Sequence, residues 1–242
     1  MNVVAIIQAR MGSTRLPGKV LAEIGGKPML RRVLDRVRAA KRVDEIIVAT
    51  SVEPADDVIA AFCHQRACPC FRGSEMDVLD RYYHAAREHD ADAIVRITSD
   101  CPLIDSEVTD RTVQAFLDER PDYASNSLDR TYPRGLDTEV IARSALERAW
   151  REAGENYQRV HVTPYIYQNP GVFRILSVRE EQDHSPQRWT VDTPEDLEFV
   201  REVYARMGDE VFSWREAIAL LEREPELAEI NRSVTQKALH EA

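Results

Sequence analysis

Three short apolar runs rich in β-branched residues, Val3–Gln8, Glu45–Thr50 and Ala93–Thr98, alternate with stretches of helical period along the amino-terminal part of the chain. Unbroken runs of this kind are the signature of strands buried on both faces. Cys68–Phe71 reads as a shorter, weaker strand. Between the runs, Met29, Leu30, Val33, Leu34 and Val37 recur at helical spacing, as do Val78, Leu79, Tyr82 and Tyr83. A β-α-β-α alternation predicts parallel strands joined by helical crossovers. Ligands of such sheets bind beyond the carboxyl ends of the strands.

After Arg120 the rhythm changes. Strands are expected at Tyr123–Asn126, Thr138–Ile141 and Val172–Val178, and helices at Ser144–Ala153 and around Val160–Gln168. Two closing helices are expected at Pro194–Met207 and Trp214–Arg223, the first with Thr193 as N-cap and Pro194 in its first turn. The expected fold is α/β with three layers, α/β/α, around a mostly parallel mixed sheet. With no internal repeat or low-complexity linker, residues 1–242 are read as one domain, with a charged, loosely packed tail after Pro225.

Composition narrows the function. Hydrophobic residues make up 43% and charged residues 31% of the chain, enough for a core and a solvated surface. The net charge of −10 argues against nucleic acid and anionic membrane as partners, since either needs a broad basic face. Cys63, Cys68, Cys70 and Cys101 show neither zinc-ligand spacing nor the density of a disulfide scaffold, so reduced thiols are expected. Val3 follows no basic lead-in and no apolar run approaches membrane-spanning length, which predicts a cytoplasmic protein.

Against that acidic background, the segment Gln8-Ala9-Arg10-Met11-Gly12-Ser13-Thr14-Arg15-Leu16-Pro17-Gly18-Lys19 concentrates positive charge just after the first strand. Gly12 and Gly18 let the backbone approach an anion, and Arg10, Arg15 and Lys19 supply charge, a pattern suited to polyphosphate. It is not a P-loop. The spacing from Gly12 to Gly18 is one residue too long, and Val20 stands where a metal-binding hydroxyl is needed. An ordinary basic surface loop remains the alternative on composition alone.

Ile7-Gln8-Ala9-Arg10 through Gly18-Lys19-Val20-Leu21, with Gly26-Lys27-Pro28-Met29-Leu30, closely resembles the signature of the sugar-acid cytidylyltransferases, the acylneuraminate and 3-deoxy-manno-octulosonate enzymes among them. The likeness is strongest to the branch associated with spore-coat polysaccharide biosynthesis. It continues in order through Phe71–Tyr83, Arg96–Asp105, Pro133–Val140, His161–Tyr165 and Thr190–Leu197. That branch usually carries an acidic residue before the histidine, where this chain has Val160, which leaves the acceptor open.

The resemblance implies a nucleotide-diphospho-sugar transferase-like fold and a cytoplasmic, homodimeric enzyme. Its nucleotide-binding part would span about 1–120, an acceptor-binding and dimerising part about 121–192, and closing helices and tail 193–242. It implies transfer of CMP from CTP to a sugar acid with Mg2+, releasing pyrophosphate. Arg15, Lys19 and Asp100 would be catalytic. Ala9, Arg10, Gly12, Ser13, Arg15, Lys19, Arg72, Ser74 and Asp100 would bind the nucleotide, with Arg72 and Ser74 near the base. Arg134, Asp137, Glu139 and His161 would face the acceptor, and Asp100 and Asp192 the metal.

Read locally, several of these have plainer roles. Asp100 can cap a turn, Asp192 a helix, and Asp105 is a turn or cap residue. Arg72 can pair with Glu75 or Asp77 while Ser74 caps the following helix, and His161 can be a packed core residue. Two rival functions stay open: a glycosyltransferase, for which the Asp90-Ala91-Asp92 metal motif falls on the wrong side of its strand, and a non-catalytic nucleotide-binding subunit.

Overall fold

The computed structural model describes residues 1–237. Its strands and helices follow in the order β1 (Val3–Gln8), β2 (Glu23–Ile24), β3 (Lys27–Pro28), α1 (Met29–Arg38), β4 (Glu45–Ser51), α2 (Asp57–His64), β5 (Cys70–Gly73), α3 (Val78–Glu88), β6 (Ala93–Thr98) and α4 (Ser106–Glu119). Then come β7 (Tyr123–Ser125), β8 (Glu139–Ala142), α5 (Arg143–Glu152), α6 (Asn156–His161), α7 (Pro164–Tyr167), β9 (Ile175–Ser177), α8 (Pro194–Met207), α9 (Trp214–Arg223) and α10 (Glu226–Glu229).

Seven strands form one sheet in the order β5-β4-β1-β6-β8-β7-β9, with β8 antiparallel to both neighbours and every other pairing parallel. The mixed, mostly parallel sheet is as expected. Alternation along β1 explains its continuous apolar run. Val3, Ala5 and Ile7 pack with Leu30 and Val33 of α1 and Val113 of α4, while Val4 and Ile6 pack with Leu79 of α3 and Leu146 of α5. A third cluster joins Trp189 and Val191 to Phe199 and Val200 of α8 and Trp214 of α9. The closing helices therefore hold the segment before α8 against the body.

The chain runs from β1 outward to β4 and β5, then returns to β6 on the other side of β1. That reversal opens a crevice beyond the carboxyl ends of β1 and β6, the usual ligand position in open α/β sheets.

Several local expectations need correction. The Cys68–Phe71 strand lies at Cys70–Gly73, and Val172–Val178 shortens to Ile175–Ser177. The helix expected around Val160–Gln168 is two short helices, separated at Val162, which adopts φ +74°. The tail after Pro225 is better packed than expected, with Leu227 and Asn231 buried. All four cysteines are free thiols; Cys63, Cys68 and Cys101 are buried and Cys70 half-buried. No helix among the described residues is long and apolar enough to cross a membrane.

Candidate active site

Beyond Gln8 the chain turns sharply around one carbonyl. Met11 O accepts from both Ser13 N and Gly18 N, and Leu16 N donates to Ser13 Oγ. Asp56 anchors the base of the turn by accepting from Met11 N at 2.7 Å. Gly18 closes it at φ +73°, a left-handed conformation that glycine adopts without strain, and leads into the single turn that carries Lys19.

The Lys19 ammonium is the centre of the site. It donates to Asp100 Oδ2 at 2.9 Å, Asp192 Oδ1 at 2.9 Å and the Val191 carbonyl at 2.7 Å, which engages its three hydrogens. The two aspartates arrive from distant parts of the chain. Asp100 follows β6, and Asp192 precedes α8. Val191 N donates to Asp100 O at 2.8 Å, tying the two segments together. Burial pushes the Lys19 pKa down, but the paired carboxylates outweigh it and hold the pKa above its ordinary value. Burial likewise pushes Asp100 up, and the Lys19 charge and hydrogen bond outweigh it, so its carboxyl stays below the usual range.

Neither aspartate caps a helix. Thr193 caps α8, forming a reciprocal box with Asp196, as the sequence predicts. Asp105 caps α4 by accepting from Glu107 N and Val108 N. Asp192 instead accepts from Arg15 at 2.9 Å and from Arg188 at 2.9 Å. Arg188, absent from the expected set, also grips fully buried Asp196 through two 2.9 Å bonds.

These groups border a cleft of about 350 Å³, lined on one side by Gln8, Ala9, Arg10, Ser13, Arg15 and Lys19. Asp100, Asp192, His161, Val160, Arg81 and Lys237 complete much of its wall. Gly12 is not among the lining residues; a Cβ there would lie 3.2 Å from Glu75 Oε1.

Arg81 is the second residue the sequence reading passed over. It is 1% exposed, donates to Ser74 O at 2.8 Å and leaves its buried Nε without a partner. Burial, with a contribution from Arg10, lowers its pKa. A cation inside the apolar stripe of Val78, Leu79 and Tyr82 was its sequence signal.

Arg72 and Ser74 do not line the cleft. Arg72 pairs with Asp57 at 2.7 Å, not with Glu75 or Asp77, and donates to Ser51 O and Glu53 O. Ser74 accepts from Asp77 N, and Asp77 itself caps α3. In the free protein both residues brace the chain around β5 and the start of α3.

The acceptor set also divides. Glu139 is 6% exposed and is bound by Arg96, Tyr123 Oη and Thr163 Oγ1 in an internal ion pair. Asp137 is held bidentate by Arg130 at 2.5 and 2.7 Å. Arg134 is half-buried and joins the backbone of Gln187 and Trp189, placing it beside the segment that carries Arg188. Of the four, His161 is the one that lines the cleft.

The donor chemistry fits magnesium. Two carboxylates already share one cation, and among the described residues no group of three or more His, Cys, Asp or Glu side chains forms a fuller cage. Magnesium commonly takes one or two carboxylates and completes its shell with phosphate and water. Asp92 of the Asp90-Ala91-Asp92 sequence accepts from Asn2 N at 2.7 Å, outside this cleft.

A family model described as cytidylyltransferase matches residues 4–223. The spore coat polysaccharide biosynthesis protein SpsF of Bacillus subtilis is 37% identical over 239 residues, covering 94% of this chain and 97% of that protein. A cytidylyltransferase structure from Leptospira borgpetersenii serovar Hardjo-bovis aligns with a TM-score of 0.91 at 34% identity, covering 98% of this chain and 100% of its own. The structure of CMP:2-keto-3-deoxy-manno-octonic acid synthetase complexed with CTP aligns with a TM-score of 0.64 at 23% identity. It covers 86% of this chain and 100% of its own, a likeness of fold.

Proposed function

The chain belongs to the cytidylyltransferase family and is a nucleotidyltransferase, and on that premise we propose that it transfers CMP from CTP to an acidic sugar, releasing pyrophosphate. The observation that carries the reading is the convergence of Asp100 and Asp192 on one ammonium beside the basic turn after β1.

Attack on the α-phosphate brings an oxygen of the acceptor toward an already anionic chain. Arg10, Arg15 and Lys19 offset charge on the phosphates, with Arg15 and Lys19 facing the leaving pyrophosphate. Asp100 and Asp192 would hold Mg2+, which would supply polarisation of the α-phosphate and screening of its charge. Arg188 fixes the Asp192 carboxylate so that it reaches the cleft in one orientation. Arg81 contributes a guanidinium to the wall of the cleft, suited to a carbonyl or phosphate oxygen of the nucleotide. His161 faces the acceptor, and Val160 beside it leaves that wall apolar where an acidic side chain is usual. Most of the rate enhancement then comes from positioning and fixed charge, with no covalent enzyme intermediate.

Likeness to SpsF supports a place in surface polysaccharide biosynthesis. A cytoplasmic homodimer completes the proposal; light scattering reads its size. The decisive experiment is a pyrophosphate-release panel of four nucleoside triphosphates against several sugar acids, with and without magnesium. Release with CTP, a sugar acid and magnesium supports the proposal; release from no combination, or from another triphosphate in preference, overturns it.

A further inference from the structure

The carboxyl-terminal segment returns to the cleft. Asn231 is 4% exposed and donates to both Arg188 O at 3.0 Å and Asp196 Oδ1 at 2.9 Å, pinning the segment to the carboxylate network. Beyond it, Gln236 Oε1 accepts from Arg188 at 2.7 Å, and Thr235 O lies 3.5 Å from Arg15 Nη1. Lys237 then joins the lining of the same cleft as Arg15 and Lys19. The segment thus touches both arginines that hold Asp192.

Charge assigns Lys237 a purpose. Lys19 and Arg15 are engaged by Asp100 and Asp192, and Arg10 lies 3.8 Å from Glu75. Lys237 forms no ion pair with a described residue. A lysine lining an anion cleft, with no carboxylate partner among the described residues, is suited to phosphate oxygens, which it reaches as a flexible point charge. We propose that Lys237 is a further phosphate-binding residue, delivered by a carboxyl-terminal strap anchored at Asn231, and that it contacts the β- and γ-phosphates of the triphosphate. The inference rests on the reading of the cleft as a CTP site.

Titration calorimetry with CTP and CMP, in magnesium, tests it on the full chain, on Lys237→Ala, on Lys237→Arg and on a chain ending at Ser233. CMP lacks the two phosphates in question. Lys237→Ala is expected to weaken CTP binding by about tenfold, the scale of one charge-assisted hydrogen bond, and CMP binding by less than about twofold. Lys237→Arg recovers most of the CTP affinity, and the shortened chain behaves like Lys237→Ala. Unchanged CTP affinity in Lys237→Ala, or equal losses for CTP and CMP, overturns the strap. If the full chain itself binds no CTP, the CTP reading of the cleft fails; if it binds CTP and Lys237→Ala matches it, only the strap does.

Discussion

Replacing Lys19 by methionine removes the cation between Asp100 and Asp192 while keeping an unbranched side chain one atom shorter. Each carboxylate oxygen lies 2.9 Å from the ammonium, so the two oxygens are separated by no more than twice that distance. At an effective dielectric constant of about 20, two unit charges at that limit repel by about 3 kcal/mol. Asp192 keeps Arg15 and Arg188, so the exposed cost falls on Asp100. A loss of this size lowers Tm by roughly 6–12 °C in a domain of this length. The pH dependence is more diagnostic. In the native protein, the depressed Asp100 pKa contributes stability that is present above the ordinary value of 3.8 and lost as pH falls through the folded value. Without Lys19, burial is opposed only by the remaining hydrogen bonds from Thr98 and the backbone, so the Asp100 pKa rises and the cost shrinks on acidification. The Tm deficit of Lys19→Met should therefore narrow between about pH 8 and about pH 4.5. Two carboxylates lacking their ammonium should also take up divalent cation, so MgCl2 should raise the variant's Tm more than that of the native protein. Scanning calorimetry over pH, with and without MgCl2, measures both. A deficit constant with pH and insensitive to magnesium refutes the assignment of this pair as a cation site.

Asp192→Asn keeps the shape but not the charge, and should lower kcat/KM for pyrophosphate release by about 10²–10³-fold with little change in fold by circular dichroism. Glu139→Gln leaves the Arg96 guanidinium without its carboxylate, so chemical denaturation should show a loss of about 3–5 kcal/mol. Its KM for the sugar acid should stay unchanged; a raised KM at normal stability would return Glu139 to the acceptor site. Gly135→Ala places a Cβ 2.7 Å from the backbone of Trp189 and Thr190 at φ +113°, and should cost at least about 2 kcal/mol in the same assay. Because that contact supports the segment between Arg188 and Asp192, pyrophosphate release should fall with it.

The parts of the fold most legible in the sequence are those where one physical signal acts alone. β1, β4 and β6 each carry a largely apolar run because helices cover both faces, and α8 starts where Thr193 and Pro194 say it should. Helix α4 escaped notice because its buried face is Val108, Thr109, Thr112, Val113 and Phe116, and two threonines dilute the apolar stripe. Each threonine hydroxyl returns to a carbonyl one turn earlier, which lets it sit in the core. The missed Arg188 had no periodic signal at all, since it lies in irregular chain and meets Asp192 and Asp196 only through the local path of the backbone. Glu139 reads as a free acid in its motif, yet the antiparallel register sets it opposite Arg96. A contact that depends on register is invisible until the strands are paired.

The charges of the cleft explain how an acidic protein can carry a concentrated basic site without destabilising itself. Arg15, Lys19 and Arg188 would repel if packed alone, but the carboxylates of Asp100, Asp192 and Asp196 are interleaved among them, and ion pairs at 2.9 Å link the group. Networks of this kind stabilise only when every member is satisfied, because one unpaired group in a half-buried setting costs as much as several good bonds return. Asp196 shows the rule at its strictest: fully buried, it accepts from Arg188, Asn231 and the amides of Asp192 and Thr193. The residues proposed to meet phosphate and metal are therefore also each other's counter-ions in the free protein. A ligand that brings both anionic oxygens and a divalent cation can replace those partners in kind, so Arg15, Lys19, Asp100 and Asp192 need not lose their counter-ions at any stage of binding.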